Sequence, residues 1–77
     1  MKKAILELLK LSKEAKTEMS INRLERLVNL KSKEEPLQGL YFKNYLDDLK
    51  EEGLLDSNEN KSIYTITKFG LKYLEKA

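Results

Sequence analysis

Residues 40–74, LYFKNYLDDLKEEGLLDSNENKSIYTITKFGLKYL, constrain the fold more tightly than any other part of the chain. Phe42, Tyr45, Leu46 and Leu49 recur at helical spacing, which predicts an amphipathic helix with those side chains inward. Gly53 follows as a residue that can take the left-handed conformation and stop that helix. Leu54 and Leu55 then open an extended run, and residues 56–60 (DSNEN) supply turn chemistry. Tyr64 and Ile66 alternate on one face of a returning strand over residues 62–66. Thr67 is placed to cap a last helix over residues 68–76, with Leu71 and Leu74 inward. The order is helix, glycine stop, β-hairpin, helix.

At 77 residues the chain reads as one domain spanning residues 1–77. A domain of this size buries only about 60% of its unfolded surface, so an interface with a second copy would stabilise it. There is no cysteine and no histidine. Disulfides and thiolate chemistry are thereby excluded, and a structural zinc site or any other metal is not expected. The commonest acid–base and nucleophilic groups are missing too, and no glycine-rich phosphate loop is present, so an enzyme is not the expectation and no cofactor is implied. The opening MKKAILELLKLSKEAK is broken by Glu7 and Lys10, too short and too charged for a membrane span and without a small-residue cleavage site, which predicts a cytoplasmic protein. The wealth of Lys, Glu, Leu and Ile resembles a thermophile composition.

The net charge of +2 conceals a pattern. Residues 1–33 hold nine Lys/Arg against four Glu, residues 34–59 two Lys against eight acids, and residues 60–77 four Lys against one Glu. Two basic regions flank an acidic one. Basic patches suit nucleic acid.

In the front half, a first helix is predicted over residues 2–16, with Ile5, Leu8, Leu9 and Ser12 on one stripe, widened by Ala4, Leu11 and Ala15, and Leu6 outside it. That face exceeds the roughly 100° a surface helix needs. Two readings stand: part of it faces another subunit, or the helix is sandwiched inside one small core. Residues 17–19 are expected to form a short strand. Ser20 is a good N-cap for a second helix over residues 21–30, burying Leu24, Leu27 and Val28. Residues 31–35 are a polar loop, and Pro36 suits the first position of a third helix over residues 36–52.

The blocks Tyr45-Leu46, Leu49, Gly53-Leu54-Leu55 and then Tyr64, Ile66, Thr67, Gly70 and Leu74 resemble archaeal-type winged helix-turn-helix transcriptional regulators, and are similar to small proteins of archaeal plasmids and viruses. The front half departs from that pattern by a longer stretch between the first and third helices. The resemblance implies an α+β fold: a three-helix core, a two- to three-stranded antiparallel wing and a C-terminal helix. It also implies a homodimer, joined through spare apolar surface of the first helix, the last helix or both, that binds double-stranded DNA as a regulator. An alternative reading is a protein-interaction module of the same fold, because fold alone does not settle function.

On that reading, the N-terminal part of the third helix meets base edges. It offers Gln38, Tyr41, Lys43 and Asn44, and residues 37–46 contain no acid. Asn and Gln can pair with adenine and Lys with guanine. Leu40, Asn44, Asp47 and Glu51 lie opposite the apolar stripe, with the acids Asp47, Asp48, Glu51 and Glu52 confined to the helix's second half. Glu34 and Glu35 precede the helix; they complement its positive end but would also repel a nearby phosphate. Asn58, Asn60, Lys61 and Ser62 are the wing candidates. Lys31 and Lys33 are candidates for phosphate contacts, with Arg23 and Arg26 as further ones unless they form surface pairs. Tyr45, Tyr64 and Tyr73 are expected to pack, leaving Tyr41 exposed.

Overall fold

A computed structural model of the chain describes residues 1–31 and 36–76. Its element order is α1 (Lys2–Glu14), β1 (Met19–Ser20), α2 (Ile21–Lys31), α3 (Leu40–Glu51), β2 (Leu55–Ser57), β3 (Ile63–Ile66) and α4 (Lys68–Lys76). Among the described residues this is a small α+β fold of four helices and one three-stranded antiparallel sheet. The sheet order is β1-β3-β2. Met19 lies opposite Tyr64, and Leu55 opposite Ile66. These four side chains are buried, so the sheet's inner face joins the helices in one core with Ile5, Leu6, Leu9, Leu24, Val28, Phe42, Leu46 and Leu49.

Helix α1 packs against β3, α2 and α4. That explains why Leu6, outside the expected stripe, is fully buried. Neighbours on several sides bury more of a helix than one apolar face requires. Leu11, on the widened stripe, is nevertheless 58% exposed. The helix stops at Glu14 rather than at residue 16, because Lys16 turns left-handed at φ 56°. The Thr17 and Lys16 amides then reach back to the Ser12 and Lys13 carbonyls at 3.0 and 3.1 Å, a Schellman closure that normally selects glycine. Buried Ser12 is satisfied locally, its hydroxyl donating to the Thr17 carbonyl at 2.6 Å.

The short first strand is Met19–Ser20 rather than residues 17–19. Ser20 ends it and starts α2 at once: its hydroxyl accepts from the Arg23 amide at 3.2 Å. Leu24 and Val28 are buried as expected, whereas Leu27 is only half-buried.

Helix α3 starts at Leu40, so Pro36 does not occupy a first helical position. The reason lies on α2. The Asn29 side chain accepts from the Leu37 amide at 3.2 Å and donates to the Leu37 carbonyl at 3.0 Å. Both Leu37 backbone groups thus find partners without a helix. Gly39, at φ 60° and ψ −130°, turns the chain into α3.

At the other end, the Leu54 amide bonds the Leu49 carbonyl and the Gly53 amide the Lys50 carbonyl, with Gly53 at φ 80°. This is the glycine stop expected from the sequence. The Thr67 hydroxyl donates to the Gly53 carbonyl and accepts from the Gly70 amide, and the Thr67 amide donates to the Leu54 carbonyl. The Thr-x-x-Gly block therefore ties the start of α4 to the end of α3. Among the described residues no helix is long and apolar enough to cross a membrane.

Candidate nucleic-acid interface

Three buried side chains, Phe42, Leu46 and Leu49, hold α3 against the core. Geometry then turns Leu40, Lys43 and Asn44 outward together, at positions i, i+3 and i+4 of one face. Tyr41 stands beside them and is 78% exposed. Gln38 is exposed too, but it belongs to the extended segment pinned by Asn29 and not to the helix. The sequence-derived set therefore separates into three helical residues and one residue of the approach.

The acidic half of α3 is tied to the hairpin. Lys61 Nζ lies 3.7 Å from Asp47 Oδ1, and Lys50 Nζ lies 3.9 Å from Asp56 and donates to Ser57 Oγ at 2.9 Å. Cations from the hairpin tip and from α3 itself offset acids that would otherwise repel a polyanion. Lys61 is left-handed at φ 55°, and its amide closes the turn on the Asn58 carbonyl at 3.0 Å.

Most hairpin candidates have an internal task. Asn58 Oδ1 accepts from the Ser62 and Ile63 amides at 2.9 and 3.2 Å, and its Nδ2 donates to Ser62 Oγ at 3.2 Å. Asn58 and Ser62 therefore build the turn. Lys61 pairs with Asp47 through a partly exposed contact, and Asn60 is exposed at the tip.

Lys31 pairs with Glu7 of α1 at 3.6 Å, with both side chains nearly half exposed. Such a surface pair is worth about 0–1 kcal/mol, so a phosphate can compete for it. Lys33, Glu34 and Glu35 lie outside the described residues. Arg23 and Arg26 are exposed, and neither forms an ion pair among the described residues.

One relevant residue escaped the sequence reading. Glu25 of α2 accepts from the Gly39 amide at 3.1 Å, which places a carboxylate at the start of α3. It offsets that helix's positive end, and it adds a negative charge near the outward face. Glu25 lies one turn from Asn29 on α2, so both side chains can serve the same crossing segment; nothing in the sequence reveals that the segment passes there.

The tyrosines divide differently from expectation. Tyr64 is buried and Tyr45 half-buried, but Tyr73 is 36% exposed. Lys2 lies over its ring at 4.9 Å and donates to Glu52 at 2.9 Å, clasping α1, α3 and α4 at one edge. The hydrogen bond to Glu52 raises the Lys2 ammonium above its ordinary pKa. Burial, and secondarily the charge of Asp47, raises the Tyr64 phenol.

Comparison with family models, with curated proteins and with solved structures finds no match for this chain.

Proposed function

We propose that this chain is a winged-helix DNA-binding protein of the small regulator type. In this reading α3 lies in the major groove and the β2–β3 hairpin serves as the wing against the flanking backbone. One observation carries the proposal. Lys43 and Asn44 stand exposed on the acid-free first half of α3, while Asp47 on its second half is paired with Lys61 of the hairpin. An α-helix about 10–12 Å across fits a groove about 12 Å wide. The separation of charge lets the first half of α3 approach phosphates with its acids held back. Lys31, Arg23 and Arg26 supply further cations along α2.

The proposed operator-bound species is a homodimer. Two-fold symmetry then gives a palindromic site with half-sites roughly 34–36 Å apart. The second copy would cover the apolar strip on the outer side of α1, where Leu11 is exposed.

A protein-interaction role is the second reading. It is favoured by the Glu25 carboxylate at the start of α3 and by the exposure of Leu30, Leu40 and Tyr41 at 78, 73 and 78%.

Binding to random-sequence duplex DNA at two salt concentrations, followed by selection, separates the two. DNA binding predicts salt-sensitive affinity that converges on a palindrome. Lys43→Ala should weaken binding to all sequences and reduce the salt slope by roughly 0.9 if it meets a phosphate. Asn44→Ala should cost about 1–3 kcal/mol on the selected site only. Absence of binding at low salt moves the protein to the interaction reading.

A further inference from the structure

The most exposed large apolar side chains of the described chain are Leu30, Tyr41 and Leu40. Leu40 differs from the other two in its neighbours. It is the first residue of α3, 73% exposed, and shares its face with Lys43 and Asn44 one turn on. Phe42, on the other side of the same turn, is fully buried, so the orientation of Leu40 is set by the core.

An apolar side chain beside a carboxamide is the complement of one base pair in particular. In the major groove an A·T pair presents the thymine 5-methyl group together with the N6 donor and N7 acceptor of adenine. A G·C pair presents no methyl. The Cβ atoms of residues i and i+4 are about 5–6 Å apart, and base pairs rise about 3.4 Å per step. Leu40 and Asn44 can therefore address the same or neighbouring base pairs. Lys43, between them in sequence, carries the positive charge that the phosphate-lined groove favours.

Resting on the DNA-binding reading above, we infer that Leu40 is a specificity-determining residue that packs on thymine methyl groups. The half-site thus centres on adjacent A·T pairs, with Asn44 on an adenine. Tyr41 lies about 100° around the helix from Leu40 and flanks this contact rather than joining it.

The test uses the whole chain and duplexes selected from a random pool. Each selected duplex is re-made with deoxyuridine for thymine, which removes only the methyl groups. Wild type should bind the uracil duplex about four-fold more weakly for each methyl contacted, the fold-change corresponding to one buried CH2-sized group. Leu40→Ala should bind both duplexes alike, with a salt slope equal to that of wild type because no charge is removed. The exposure of Leu40 keeps this variant folded, which unfolding by denaturant checks. Equal binding of wild type to thymine and uracil duplexes overturns the inference while leaving DNA binding intact. A gap that persists in Leu40→Ala also overturns it, since the methyl effect then arises elsewhere. No salt-sensitive binding to any duplex overturns both this inference and the reading beneath it.

Discussion

Tyr64 is 1% exposed and its hydroxyl has no hydrogen-bond partner among the described residues, nor does Asp47 Oδ1, whose charge acts on that phenol and which meets Lys61 only as an ion pair at 3.7 Å. A buried unpaired hydroxyl costs about 1–3 kcal/mol. Tyr64→Phe should therefore be neutral or up to about 1 kcal/mol stabilising at neutral pH, measured by denaturant unfolding; a clear loss would show that the hydroxyl is paired. The same residue sets an alkaline limit. Burial holds the folded phenol protonated above its ordinary pKa of 10.0, where the unfolded chain releases the proton. Its contribution is complete below about pH 10 and falls as pH rises through the folded-state value. Wild type should lose stability in that window faster than Tyr64→Phe. Parallel curves would remove Tyr64 as the cause. The tyrosine strand was legible in the sequence, because alternation with Ile66 gives its face. Its missing partner was not, since that depends on what α3 places above it.

Between elements, the junction of α3, β2 and α4 explains the placing of Gly53 and of the Thr67-x-x-Gly70 block. Gly53, Thr67 and Gly70 hold this junction together. A Cβ on Gly70 would run into the Leu54 carbonyl oxygen and come within 2.6 Å of Ile66 Cγ1. The same change at Gly39 would meet nothing within 4 Å, although φ +60° makes it strained. Gly70→Ala should therefore lose at least about 2 kcal/mol by overpacking, although alanine is the better helix former. Gly39→Ala should lose about 1–3 kcal/mol, from backbone strain alone. Denaturant midpoints at constant slope check both. A loss well under about 1 kcal/mol for Gly70→Ala would mean that α4 shifts to admit the methyl. Helices α1, α2 and α4 and both hairpin strands were readable to within a few residues because their apolar periods and caps are local. The start of α3 was not. Pro36 is a sound local signal for a helix start, but Asn29 and Glu25 of α2 supply the hydrogen bonds that hold residues 37 and 39 outside the helix.

At the scale of the molecule, the outer strip of α1 leaves Leu11 exposed. Leu11 stands between one groove lined by Leu8, Ala15, Met19, Leu27 and Arg23 and another lined by Lys3, Glu7, Lys10, Glu14, Lys31 and Leu74. Charges of both signs flank it, so a second copy of the same surface can pair them. Sedimentation equilibrium should show wild type associating with rising concentration and Leu11→Glu remaining monomeric with unchanged unfolding. A monomeric wild type at high micromolar concentration would place the apolar strip outside any self-association and leave the palindrome without its two-fold partner. What the sequence alone determined was the order of elements, the glycine and threonine stops, the acid-free first half of α3 and the absence of Cys and His chemistry. These are local or compositional properties, set by backbone sterics, hydrogen-bond capacity and apolar period. Only the tertiary structure decided that Leu6 is buried and Leu11 exposed, that Lys61 answers Asp47, and that Glu25 reaches the start of α3. Each depends on which distant segment packs alongside, and a one-dimensional period carries no record of that.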